Sequence, residues 1–170
     1  MRDYPHGIVE RKITKEIALF AAVCGALVLC LVAVLSIQML LRPVVVNGHS
    51  MDPTYHHGEW LFTRPLKDGE IPPVGSVITF SGEDGKKLIK RVIAVPGDTI
   101  VIVDGTLYLN GEAVEDEFPA MDDPGWVYQP ETVPEGRVFV LGDNRNASSD
   151  SRYFGYVYLE NIFGIVTGHN

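Results

Sequence analysis

Ser50 stands in the run Asn47-Gly48-His49-Ser50-Met51-Asp52-Pro53-Thr54-Tyr55-His56-His57, where a hydroxyl, a carboxylate and three imidazoles crowd together. A serine so placed suggests nucleophilic hydrolysis, and the first question is which group would activate it. Gly48-His49-Ser50-Met51 begins the G-x-S-x-G pattern of a nucleophile elbow, but Asp52 occupies the place of the second glycine that the tight turn requires. Pro53 biases Asp52 toward extended backbone where an elbow must enter a helix. The β-rich remainder of the chain is also too short for a large parallel sheet with crossover helices. The elbow match is therefore set aside.

The histidines do no better as a base. On an extended segment, neighbouring side chains point to opposite faces, so His49 is expected to face away from Ser50. His56 and His57 follow a bend, and no later carboxylate is recognisably placed to orient them. As metal ligands, His49, His56, His57 and Glu59 lack convergent spacing. The histidines and Asp52 are read as bystanders, and no metal or cofactor is expected.

The next candidate base is Lys90, inside Lys87-Leu88-Ile89-Lys90-Arg91-Val92-Ile93-Ala94-Val95. On an alternating strand it shares a face with Leu88 and Val92, while Ile89, Arg91 and Ile93 share the other. An exposed lysine titrates near 10.4, and burial among apolar side chains lowers that by several units, leaving a usable neutral amine. Two readings stand at this point. Lys90 is either the base for Ser50, or a strand lysine that reaches outward or pairs with a carboxylate.

Around these residues the chain reads mostly as strands. Residues 44–46, 60–63, 76–80 and 87–95 are rich in β-branched and aromatic side chains. Residues 99–114 read as a hairpin with Asp104-Gly105 at its turn and Asn110-Gly111 opening another. A further strand runs from Arg137 and ends at Gly142, and residues 112–136, acidic and dotted with proline, read as a surface excursion. The fold class expected is mainly β, an antiparallel sandwich or barrel-like domain.

Ahead of this domain, residues 17–41 are an uncharged apolar run. As a helix it would extend about 37 Å, enough to cross a hydrocarbon core of roughly 30 Å. It lacks the polar stripe of a core helix and the small-residue exit of a cleaved signal peptide. The expected organisation is a cytoplasmic tail over 1–16, a transmembrane helix over 17–41 and an extracytoplasmic catalytic domain over 42–170. Arg2, Arg11, Lys12 and Lys15 precede the helix and only Arg42 closely follows it, which keeps the N-terminus in the cytoplasm. The outer part carries 19 Asp and Glu against 10 Lys and Arg, the wrong sign for a nucleic-acid partner. Both cysteines, Cys24 and Cys30, lie within the apolar run, which excludes cysteine catalysis and disulfides from the outer domain.

Three boxes in order, Ser50-Met51-Asp52-Pro53-Thr54, residues 90–98 (KRVIAVPGD) and residues 142–155 (GDNRNASSDSRYFG), resemble those of the type I signal peptidases. The single helix and short chain are similar to the Gram-positive bacterial form. The resemblance implies a membrane-bound endopeptidase that removes signal peptides from exported preproteins, with a Ser-Lys dyad on an antiparallel β-fold. It implies Ser50 as nucleophile, Lys90 as general base and Ser148 as the hydroxyl that orients the lysine. Met51 and Pro53 shape the nucleophile's surroundings, while Asp143, Asn144, Arg145, Asp150 and Arg152 form a structural box. Two readings stand for these charges: Asp143 pairs with Arg91 of the second box and Asp150 with Arg152, or all are ordinary surface charge.

Some Gram-negative members carry a serine where this chain has Gly48. The oxyanion hole is then expected to rest on backbone N–H groups, with those of Ser50 and Gly48 as candidates. A tether of nine residues from Leu41 to Ser50 limits the nucleophile to roughly 30 Å from the membrane exit. Substrate is expected to bind as an added strand between the chain before Ser50 and the strand leading to Lys90. Val44, Val46 and Ile89 would line shallow pockets for small side chains at the first and third positions before the cut. The bilayer is the other expected partner. Trp60 and Trp126 are candidates for its headgroup layer, with core packing the favoured role for Trp60.

Overall fold

The apolar run forms part of one helix, α1 (His6–Leu40). The structure is a computed structural model; it describes residues 6–82, 85–115, 117–118 and 127–168, and within α1 the side chains of 15–36. Lys15–Ser36, 22 residues with a mean hydropathy of 2.9, is long and apolar enough to cross a membrane. Over 15–36 its side chains are exposed except for half-buried Cys24. The helix starts before the expected Ile17 because Glu10, Arg11, Lys12, Lys15 and Glu16 favour helix and continue its hydrogen-bond ladder. Trp126 lies outside the described residues.

From Leu41 onward the chain forms a second unit. Its strands are β1 (Arg42–Val45), β2 (Trp60–Arg64), β3 (Val77–Ser81), β4 (Lys87–Ala94), β5 (Thr99–Val103) and β6 (Thr106–Leu109). They continue with β7 (Glu112–Ala113), β8 (Val127–Thr132), β9 (Arg137–Leu141), β10 (Val157–Tyr158) and β11 (Ile162–Thr167). A short helix, α2 (Ser151–Phe154), lies between β9 and β10. All pairings are antiparallel, in one sheet ordered β1-β2-β11-β3-β4-β9-β10 and a second ordered β7-β6-β5-β8. This is the mainly β architecture that the strand and turn signals indicate.

The hairpin turns form where the sequence places them. Asp104 and Asn110 have φ of 46° and 54°, each followed by a left-handed glycine, the geometry that two-residue hairpin loops demand. The excursion over 112–136 needs correction. Its described C-terminal part, β8, pairs with β5, with a register shift between Ile100 and Ile102. Pro130 and the acidic side chains hide that strand from a reading based on apolar alternation.

β9 shows how the two sheets share a core. Val138 and Val140 pack with Ile78, Phe80 and Val92 on one side, while Phe139 and Leu141 pack with Ile100, Ile102 and Leu107 on the other. The two-residue period of the strand thus sends alternate side chains into two cores. A third cluster, Val46, Met51, Tyr55, Leu61, Val77 and Ile89, anchors the loop that carries Ser50.

Candidate active site

Ser50 lies in the β1–β2 connection, and this loop is tied at both ends. Val46 N donates to Glu59 O and Gly58 N to Val46 O, while Tyr55 N donates to Met51 O. Met51 and Tyr55 are buried plugs, so the segment after Ser50 is a packed turn and not the extended run assumed from Pro53. The Asp52–Pro53 peptide bond is cis, and Pro53 is exposed.

Lys90 sits in β4 opposite Ile78 of β3 and is only 3% exposed. Its Nζ lies 2.7 Å from Ser50 Oγ and donates to Ile89 O at 2.9 Å. Forty residues of chain therefore close into one contact, and the outward-reaching reading of Lys90 does not hold. Burial pushes the amine down from 10.5 to about 8; Asp150 and Asp143 oppose the shift by attracting the charged form.

A polar frame lies beside this pair. Arg91 Nε and Nη2 donate to Asp143 Oδ1 and Oδ2 at 2.8 and 2.6 Å, and Thr54 Oγ1 donates to the same carboxylate at 2.6 Å. Arg152 Nε and Nη2 make a second forked pair with Asp150, at 2.7 and 2.8 Å. Asp150 also accepts from Gly142 N and caps the start of α2. Arg145 Nε donates to Gly142 O, and Arg152 Nη2 to Arg145 O. Charges this deeply buried persist when each is paired and its remaining sites are hydrogen-bonded.

Asn144 joins the frame to the loop that carries Ser50. Its backbone N donates to Ser50 O at 3.1 Å, and its Nδ2 donates to His49 O at 3.0 Å. Gly142, which the sequence does not single out as a site residue, leaves no room for a side chain. A Cβ there would sit 2.2 Å from Ser148 Oγ and 2.5 Å from Ser50 O. The available signal was a glycine ending a strand otherwise buried along its length.

Several expected residues are placed differently. Ser148 is buried, but its hydroxyl has no hydrogen-bond partner among the described residues, and Lys90 is held by Ser50 and Ile89 O. The Gly48 N–H donates to His57 Nδ1 at 3.1 Å and is therefore engaged already. The Ser50 N–H has no partner among the described residues. Val44 and Ile89 line a cleft of about 240 Å³ with Ser50, Lys90 and Thr79, whereas Val46 is packed in the core beneath it. Asp52 is more than a bystander, since it joins His49 and His56 at 3.0 and 2.8 Å. Both rings are largely exposed, and neither bonds Ser50. Trp60 is 68% exposed, because β2 alternates and only Leu61 and Thr63 turn inward.

A β-domain that brings a serine and a buried amine together, behind a helix of membrane-spanning type, has the make-up of a membrane-anchored hydrolase. Comparison with known proteins narrows this. The family model described as "Signal peptidase, peptidase S26" matches residues 19–168. A signal peptidase I of Bacillus licheniformis is 36% identical, over 84% of this chain and 83% of that protein. A probable signal peptidase I-1 of Synechocystis is 36% identical over 79% and 76%, and a signal peptidase IB of Staphylococcus aureus 32% identical over 76% and 78%. A crystal structure of a signal peptidase I from Enterococcus faecalis is 34% identical and covers 58% of this chain and 98% of that one, with a TM-score of 0.49. The chain belongs to the peptidase S26 family of signal peptidases, enzymes that remove signal peptides from preproteins.

Proposed function

We propose that Ser50 and Lys90 perform this cleavage as a dyad, without metal or cofactor. The observation that carries the reading is the 2.7 Å contact between Ser50 Oγ and a lysine amine buried away from water. The neutral amine accepts the hydroxyl proton as Oγ attacks the scissile carbonyl carbon. Collapse of the tetrahedral intermediate breaks the C–N bond, and the ammonium returns its proton to the departing amine. The same amine then takes a proton from water as its oxygen attacks the acyl carbon; the ester C–O bond breaks and the ammonium returns the proton to Ser50 Oγ. Ser148 contributes a buried polar wall beside Gly142, and the Ser50 N–H serves as oxyanion donor.

Substrate lies as an added strand between Pro43–Val45 and Lys87–Ile89. The cleft beside Ser50 is small and edged by Val44 and Ile89, which favours small side chains at the first and third positions before the cut. The N-terminus stays in the cytoplasm and residues 42–170 work on the outer face, as the flanking cations favour.

The proposed base makes a definite pH dependence. With the amine at about 8, kcat/KM for preprotein cleavage rises about tenfold per pH unit below that value and levels off above it. A rate that stays flat between pH 6 and 9 contradicts a lysine base.

Pro43 and Val45 pair with Phe62 and Trp60 across the β1–β2 ladder, and all four side chains are exposed on one face. We assign this face to the headgroup layer of the bilayer. In vesicles containing brominated lipid, with Trp126→Phe leaving one tryptophan, Trp60 fluorescence is expected to be quenched. Emission unaffected by the bromines would rule out that assignment.

A further inference from the structure

We propose that Asn144 is a positioning residue for the oxyanion donor: its side chain sets the plane of the His49–Ser50 peptide so that the Ser50 N–H faces an incoming carbonyl. This rests on the Ser50–Lys90 reading and extends it to a residue that touches neither the substrate nor the amine.

The reasoning starts from the rigidity of the peptide unit. In a trans peptide the C=O of one residue and the N–H of the next point in opposite directions, so holding one fixes the other. Asn144 Nδ2 donates to His49 O at 3.0 Å. That bond draws the carbonyl toward the loop after β9 and turns the Ser50 N–H away from it. The N–H has no partner among the described residues, while Ser50 itself lines the cleft. A second bond from Asn144, its backbone N to Ser50 O at 3.1 Å, holds the next peptide unit as well. One residue therefore grips the carbonyls on both sides of the nucleophile's N–Cα–C unit.

The grip is firm because its base is fixed. On one side of Asn144, Asp143 is locked by Arg91 and Thr54; on the other, Arg145 Nε holds Gly142 O. The remaining local hold on His49 O is the Asp52 N–H, at 3.3 Å, a longer and weaker bond inside the same turn. The neighbouring Gly48 N–H is occupied by His57 Nδ1. Orientation of the Ser50 N–H thus carries more of the oxyanion stabilisation than it would in a site with several free donors.

The test compares two ligands on the full-length enzyme in detergent. One is a peptide aldehyde with alanine at the first and third positions before the reactive carbonyl; the other is the corresponding alcohol. Ser50 Oγ adds to the aldehyde carbon, the carbonyl electron pair moves to oxygen and the hydroxyl proton passes to Lys90, so only the aldehyde places an oxyanion at the donor. Asn144→Asp keeps the size and the backbone bond and replaces the Nδ2 donor with oxygen. It is expected to weaken aldehyde binding and lower kcat by about 10- to 100-fold, with KM and alcohol affinity within about twofold. Asn144→Ala is expected to act alike, so an instability particular to one variant does not decide the matter. Equal aldehyde affinity in wild type and both variants overturns the proposal, as does an equal loss for aldehyde and alcohol. If the wild-type enzyme shows no preference for aldehyde over alcohol and Ser50→Ala still cleaves preprotein, the nucleophile assignment itself fails and this inference falls with it.

Discussion

Lys90→Ala is expected to lower preprotein cleavage by about 10⁴-fold or more, the scale seen when a member of a nucleophile–base unit is removed. Ser50→Ala should do the same, and the double variant should lose little beyond either single change, because the two groups act in one step. Lys90→Arg is expected to be equally inactive: a guanidinium stays protonated and cannot accept the hydroxyl proton. Lys90→Met separates chemistry from folding, since it fills similar space without an amine to desolvate. It should be inactive yet at least as stable as the wild type at neutral pH. The shift from 10.5 to about 8 corresponds to about 3 kcal/mol of penalty on the buried ammonium. The sign follows from proton counts. Between about pH 8 and 10.5 the unfolded chain holds a proton on this group that the folded chain has released, so stability rises with pH across that window. Preprotein processing at the wild-type rate by Lys90→Ala would end the dyad reading.

The second large effect is expected at Gly142. A methyl group there would meet Ser148 Oγ at 2.2 Å, Ser148 Cβ at 2.5 Å and Ser50 O at 2.5 Å. Two of these contacts involve atoms that cannot swing away, and Ser50 O is part of the backbone of the proposed nucleophile. Relief requires the 142–148 segment and the Ser50 loop to separate, which displaces Oγ from Nζ. A shift of about 1 Å in reacting groups costs on the order of 10²-fold in rate. Gly142→Ala is therefore expected to lower kcat by about 100-fold while the protein still folds. Its thermal midpoint should fall by several degrees, as an overpacked site costs about 1–3 kcal/mol. An alanine variant with wild-type kcat would show that the two segments separate without disturbing the nucleophile.

The reach of the sequence differs from one part of the molecule to another, for physical reasons. The apolar run, the strands rich in valine and isoleucine and the Asp-Gly and Asn-Gly turns follow from local preferences, and they form where those preferences place them. The closing of Ser50 on Lys90 does not follow from any local rule. Alternation puts Lys90 among Leu88 and Val92, but only the pairing of β3 with β4 and the burial of Met51 bring the loop over it. The ion pairs Arg91–Asp143 and Arg152–Asp150 came from matching boxes, and their forked geometry is consistent with that match. What stayed hidden was contact between backbones. Gly142 against Ser50 O, Asn144 on two carbonyls and Gly48 N–H on His57 each have a backbone atom on at least one side, so residue type alone does not point to the partner. Trp60 illustrates the opposite error, an aromatic side chain assigned inward by type while its strand position turns it outward.

The frame around the site also sets the order in which the enzyme acquires activity. Ser50 and Lys90 are made early in the chain, yet the residues that hold them, from Gly142 to Arg152, come some fifty residues after Lys90. Synthesis runs from the N-terminus, and contacts between distant segments form late because closing long loops costs entropy. Until β9 has joined β4 and the Asp150–Arg152 fork has formed, the Ser50 loop has no clamp and Lys90 lacks part of its packing. On the proposed dyad, a nascent chain therefore carries Ser50 and Lys90 in an unarmed state. Proteolytic competence arrives with the last third of the domain, as a product of complete folding.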